Sequence, residues 1–434
     1  MHDSEEKLKR DITRLGLGAL ALNGLIGAGI FSLPSAIAEK TVAFSPLMFV
    51  ICGALMLPVV AAFGQAASYF RSTGGPVLYA RAAFGPLVGF QAGWLLYLGR
   101  MTALAANSNA LVNYAGFFWT GAQDGIGRVL ALAFCFLALT SINVIGVKSG
   151  MRATNLLTVL KLAPLLLFIG FGFSYIMPDK WLTISTPGLG TFAESLLLVV
   201  YAYVGFEGAV VPAGECRNPR RDIPTALIRT LLLTGVLYVL IQAVCVAVSP
   251  DLGQSKTPVA DVAAILFGST GAKVMTLAAF LSIAGNLSAL VIAAPRMTYA
   301  MARDQSLPAW FGRVHETYKT PSTSILFLGG VGFFLAVSGT FAWLAVMSSL
   351  ARLLGYGITI LALPRLKRMY GADPEAVRLP GGYLIPAAGL LVCAGLAAQA
   401  DLRTWGMTIA FVVFGTFLYA LTRLRRETEL RDKN

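Results

Sequence analysis

Windows of about 20 residues that are almost wholly apolar recur along the chain, separated by short polar connections, and each is long enough to cross a roughly 30 Å hydrocarbon core as a helix. Twelve are read: Leu15 to Ala38, Ala43 to Phe70, Pro86 to Asn113, Ile126 to Ile145, Arg152 to Ile176, Glu194 to Val211, Pro224 to Val248, Gly271 to Met301, Ser322 to Ser338, Phe341 to Leu363, Leu384 to Ala400 and Trp405 to Leu421. Helix is the economical conformation for all of them, because lipid offers no partner to a free backbone N–H or C=O. The pattern therefore predicts an all-α membrane protein with twelve transmembrane helices. Composition points the same way. Of 434 residues 56% are hydrophobic and 13% charged, with a mean hydropathy of +0.72, which leaves too little polar surface to cover a soluble globule. No charged n-region, short apolar stretch and small-residue cleavage site precede the first window, so the N-terminus is expected to be retained.

The net charge of +13 raises the possibility of a nucleic-acid partner, and the loop positions offer another explanation. With the N-terminus in the cytoplasm, 24 of the 34 Lys and Arg residues fall on inner loops and tails and 6 on outer segments, while Arg100, Lys161, Arg296 and Arg352 lie within spans. This positive-inside bias supports the span count, predicts cytoplasmic N- and C-termini and an inner-membrane location, and removes the need for nucleic acid. The five cysteines read as small buried hydrophobes, four inside apolar windows and Cys216 in a charged loop. Among enzyme signatures, neither His-Glu-x-x-His nor Gly-x-Ser-x-Gly occurs, and the histidines, His2 and His315, fall in inner segments. No cofactor is implied.

Two windows are interrupted at membrane depth. Asn23-Gly24-Leu25-Ile26-Gly27-Ala28-Gly29-Ile30-Phe31 is followed by Pro34, and Tyr201-Ala202-Tyr203-Val204-Gly205-Phe206-Glu207-Gly208 by Pro212. Glycine in a membrane helix can serve close packing, but paired runs in the first and sixth windows suggest helices that unwind for a turn. Unwinding exposes amides at the start of one half-helix and carbonyls at the end of the other, which suit a carboxylate and an ammonium respectively. A separation of five spans between the breaks, an odd number, suits a duplicated unit whose second copy is inverted.

At these residues the chain resembles the amino acid-polyamine-organocation transporter superfamily. The likeness rests on Gly27-Ala28-Gly29-Ile30-Phe31, Gly205-Phe206-Glu207, the loop from Ala213 to Pro224, Gly74-Gly75-Pro76, and Tyr299-Ala300-Met301-Ala302-Arg303-Asp304. It implies a five-plus-five inverted-repeat core of the leucine-transporter type with two additional helices. The expected organisation is an inner tail over 1–13, repeats over 14–176 and 190–363, the extra pair over 383–421 and a second tail over 422–434. The resemblance also implies secondary transport of an amino acid or organic amine by alternating access, by a monomer or homodimer. Amides near Ala28 and Gly29, around Gly27, would hold the substrate carboxylate. Carbonyls near Leu25, Tyr201 and Val204, beside Gly205, would hold the amine. Ala28 stands where some relatives carry serine, leaving only backbone for that contact. Leu96 and Leu290 match aromatic gate positions of arginine-exchanging relatives, and their small apolar side chains favour neutral amino acids over large cations.

Charges in spans need reasons, since each costs a few kcal/mol or more at the bilayer centre. Lys161 lies about 15 Å into its span at 1.5 Å per residue. By resemblance it stands where sodium-coupled cousins hold their ion, implying sodium independence. Burial also disfavours its charged form, so it can release and regain a proton in a transport cycle, allowing proton coupling; a permanently charged brace would suit exchange. Arg100 is expected to pair with Glu207, or else to meet an acidic substrate side chain. Glu207 reads as a fixed charge or a proton carrier. Export or exchange of acidic amino acids, polyamines or other amines remains an alternative, and a channel or receptor is the rival from another class.

Overall fold

The computed structural model describes residues 12–146, 151–176, 186–371, 373 and 376–431. His2, Lys148, Lys180 and Lys433, together with most of the N-terminal tail, lie outside them. Each apolar window falls on a helix. Helices α1 (Arg14–Leu25) and α2 (Gly29–Thr41) share the first, and α3 (Ser45–Ser68) fills the second. A short α4 (Pro76–Phe84) leads into α5 (Pro86–Ala115), followed by α6 (Gly125–Ile145), α7 (Met151–Gly172) and α8 (Leu189–Tyr203). The remainder are α9 (Pro219–Val248), α10 (Pro258–Arg303), α11 (Ser322–Ser338), α12 (Phe341–Tyr370), α13 (Leu384–Ala397) and α14 (Leu402–Arg431).

Seven stretches among the described residues are long and apolar enough to cross a membrane, and the first of them, Gly16–Ser68, spans two windows. The protein is thus a multi-pass helical membrane protein. Helix α5 falls outside that set because Arg100 and the run Asn107-Ser108-Asn109 lower its hydropathy. It is nevertheless a central element: both Asn residues and Ser108 are buried, and α5 packs on α12 and α10. The polar run Asn107-Ser108-Asn109 faces protein, as the cost of placing it in lipid requires.

Local chemistry sets the helix ends. The Thr13 hydroxyl accepts from the Gly16 amide at 3.2 Å, capping α1. Proline occupies the first turn of α4, α5, α9 and α10, where its missing N–H costs nothing. Gly268, at φ +67°, kinks α10 before the apolar window that begins at Gly271. At one end of the bundle Ile12 pairs with the loop after α8: its amide donates to Glu215 at 3.0 Å and its carbonyl accepts from Arg217 at 3.2 Å. Arg14 adds a 2.7 Å ion pair to Asp222. Between them Cys216 is fully buried, and burial beside Glu215 and Asp222 pushes its thiol up to about 11, so it stays protonated and inert.

Candidate substrate site

The first window is broken. Helix α1 ends at Leu25, Ile26 to Ala28 bridge the gap, and α2 begins at Gly29. Phe31 and Ser32 both donate to the Ala28 carbonyl, at 3.1 and 3.0 Å, whereas the amides of Ala28, Gly29 and Ile30 have no partner among the described residues. These free amides head a helix whose dipole adds to their positive potential.

The sixth window is broken as well. Helix α8 ends at Tyr203, Val204 is extended, and Gly205 takes the left-handed conformation at φ +110° before a 3₁₀ turn over Phe206–Val210. Among the described residues no backbone amide caps the last turn of α8, so its final carbonyls remain available. The two breaks meet backbone to backbone. A Cβ built on Gly24 would lie 2.6 Å from the Gly205 carbonyl oxygen, and one on Gly205 would strike the Gly24 carbonyl. Only glycine on both sides permits this approach.

Three carbonyls at the end of α1 are engaged by side chains from other helices. Asn23 accepts from Asn286 Nδ2 at 3.2 Å, Leu25 from the Tyr238 hydroxyl at 2.8 Å, and Ile26 from Lys161 Nζ at 3.1 Å. Lys161 therefore reaches the unwound segment from α7, and it is buried at 4% exposure. Opposite, a polar chain crosses the break: the Tyr201 hydroxyl donates to Asn107 Oδ1 at 2.6 Å, and Asn107 Nδ2 donates to Asn286 Oδ1 at 2.7 Å. Asn286 also lies beside Gly27, with its Cγ 3.0 Å from where a Cβ there would stand. Leu290, one helical turn further along α10, is half-buried. Leu96 lies against Gly355 of α12.

Glu207 pairs with Arg352, not with Arg100. Arg352 Nε donates to Oε1 at 3.0 Å, while Oε2 accepts from the Tyr356 hydroxyl at 2.6 Å and the Gly205 amide at 2.8 Å. The reason is packing. Gly99 on α5 leaves room for the aliphatic stem of Arg352, and Ser348, one turn before Arg352 on α12, anchors both: it donates to the Gly99 carbonyl at 2.7 Å and accepts from the guanidinium. Arg100 feels both Glu207 and Arg352 electrostatically, but among the described residues it has no hydrogen bond or ion pair.

The amino acid permease family model matches residues 12–424. The chain belongs to that family. Among its relatives, the branched-chain amino acid permease BcaP of Bacillus subtilis (strain 168) is 26% identical, covering 96% of this chain and 94% of that protein. The methylthioribose transporter of the same organism is 28% identical over 95% and 92%. Its glutamate/serine transporter AimA is 26% identical over 95% and 81%. In this permease the residues that sequence reasoning missed are Tyr238 and Tyr356, each of which satisfies a break from a distant helix. Neither stands out in its apolar surroundings, since a tyrosine in a membrane helix most simply packs.

Proposed function

We propose that this permease is a secondary active transporter that carries amino acids across the inner membrane by alternating access at the paired breaks. The observation that carries the reading is the backbone contact of Gly24 with Gly205, which brings the free amides of Ala28 to Ile30 and the uncapped end of α8 to one place. A zwitterion matches this pair of poles: carboxylate on the amides, ammonium on the carbonyls of Tyr201 to Val204. The Leu25 carbonyl already serves Tyr238, so the end of α8 takes the larger share of the amine.

The proposed architecture is twelve spans, with repeats over 14–176 and 190–363, an extra pair over 383–421 and both termini cytoplasmic. Helix pairing supports it. Several spans five positions apart touch: first with sixth at the glycines, second with seventh as α3 on α9, third with eighth as α5 on α10. Lys161 on the Ile26 carbonyl fills the space beside the break with a fixed side chain, which supports a sodium-independent cycle, proton-coupled or exchanging. Leu96 and Leu290 offer no stacking face to a large cation, which on that ground alone favours neutral side chains over polyamines. The names of BcaP and AimA support amino acids as the substrate class.

The test is counterflow of radiolabelled L-leucine, L-serine and L-glutamate into proteoliposomes. A Cβ on Gly29 would lie 3.6 Å from the Tyr201 ring, so Gly29→Leu pushes a side chain between the poles. We expect it to abolish saturable flux while the variant unfolds at the wild-type temperature. Undiminished flux would remove the site from the breaks, non-saturable flux would indicate a channel, and binding without flux a receptor.

A further inference from the structure

The charge balance around the break carries the choice of substrate further. Among the described residues three cations, Arg100, Lys161 and Arg352, and one carboxylate, Glu207, stand in the middle of the helices packed about the two breaks. Glu207 is spent: its two oxygens hold Arg352, Tyr356 and the Gly205 amide. Lys161 meets a carbonyl, which orients but does not neutralise it. Arg352 is matched by Glu207, so Arg100 is left as a guanidinium without a bonded anion. It cannot shed its proton and it presents five donors.

Its place on α5 sets it near the second break, where it feels the charge of Glu207. Arg100 lies midway along α5 and seven residues before Asn107, so the two share a helix face about 10 Å apart. Asn107 is in the chain that links Tyr201 to Asn286 beside Gly27. Unlike Arg352 and Lys161, both 4% exposed, Arg100 is only partly buried and keeps accessible surface at this depth. A neutral amino acid, whose carboxylate and ammonium cancel, would leave this charge unmet. A substrate with a second carboxylate would meet it.

We infer that Arg100 is a specificity-determining residue that binds the side-chain carboxylate of an acidic amino acid whose α-carboxylate lies on the amides of Ala28 to Ile30. This rests on the substrate site proposed above and, within amino acids, puts acidic side chains ahead of the neutral ones that Leu96 and Leu290 alone would favour. Guanidinium and carboxylate pair in a two-bond fork, and a carboxamide of the same shape offers one acceptor in place of two. Discrimination therefore falls between isosteres.

The experiment compares L-glutamate with L-glutamine, and L-aspartate with L-asparagine, as competitors of counterflow and as stabilisers of the purified full chain against thermal unfolding. In the wild-type protein the acids should act at concentrations at least roughly tenfold lower than the amides, the scale of one buried charge pair. In Arg100→Gln the ratio should collapse to about one. Amides that bind the wild type as well as the acids, a wild type that takes only apolar amino acids, or an unchanged ratio in Arg100→Gln would each overturn the inference and leave the amino-acid site standing. Failure of every amino acid to bind the wild type would remove that site and this inference together. Should Arg100→Gln not fold, Arg100→Lys takes its place: it keeps the charge but loses the two-bond fork, so the ratio should shrink, and an unchanged ratio would overturn the inference.

Discussion

Glu207 is 1% exposed, and a carboxylate so placed survives only with compensation. Arg352 supplies the charge, Tyr356 and the Gly205 amide supply hydrogen bonds. Removing one member strands the other, so Glu207→Gln and Arg352→Gln should each destabilise the protein by about 3–5 kcal/mol. The double variant buries no uncompensated charge. Its loss should be smaller than the sum of the singles, read as a double-mutant cycle of unfolding in detergent. Additive losses would show that the two charges do not depend on each other. That Glu207 needed a cation was legible in the sequence, but which cation was not. Arg100 and Arg352 are equally deep, and the choice turns on Gly99 and Ser348 admitting the stem of Arg352 across the α5 and α12 contact, which exists only once the helices are packed.

Helix breaks are better written in sequence than their consequences. Three glycines between Gly24 and Gly29, and Gly205 with Gly208 around a carboxylate, are poor helix interiors in a chain that must otherwise satisfy every backbone group. The structure assigns these glycines different duties. Gly205 holds a positive φ against the carbonyl of Gly24, while a Cβ on Gly208 would meet nothing within 4 Å. Gly205→Ala should therefore cost stability by about 1–3 kcal/mol of backbone strain and lose transport with it. Gly208→Ala should retain both, as measured by unfolding temperature and counterflow in parallel. Equal behaviour of the two variants would mean that the Gly24 and Gly205 contact is not what shapes the break. What could not be read from the glycines is who satisfies the broken turns. Tyr238 reaches Leu25 from α9, and its position along that helix is unmarked by charge or turn residues.

For the whole molecule, the proposed alternating access would require that the elements around the breaks change partners, and the bond from Lys161 to the Ile26 carbonyl would change strength with a proton. It joins α7 to the end of α1 through the Ile26 carbonyl, where the α1 dipole favours an ammonium. A neutral amine at the same place keeps donors but loses the attraction of charge for that helix end, so α1 is freer to move when the proton has left. If this is the coupling step, uptake driven by a proton gradient in wild-type proteoliposomes should rise as the outer pH falls. Lys161→Ala should then take up substrate at a rate that no longer varies with pH, while still exchanging labelled for unlabelled substrate across the bilayer, because exchange needs no change in the lysine. PH-dependent uptake that persists in Lys161→Ala would place the proton on another group. Loss of uptake and exchange together, in a variant that still folds, would make Lys161 a brace for α1, since a side chain needed only for coupling is dispensable when both faces of the membrane carry the same substrate.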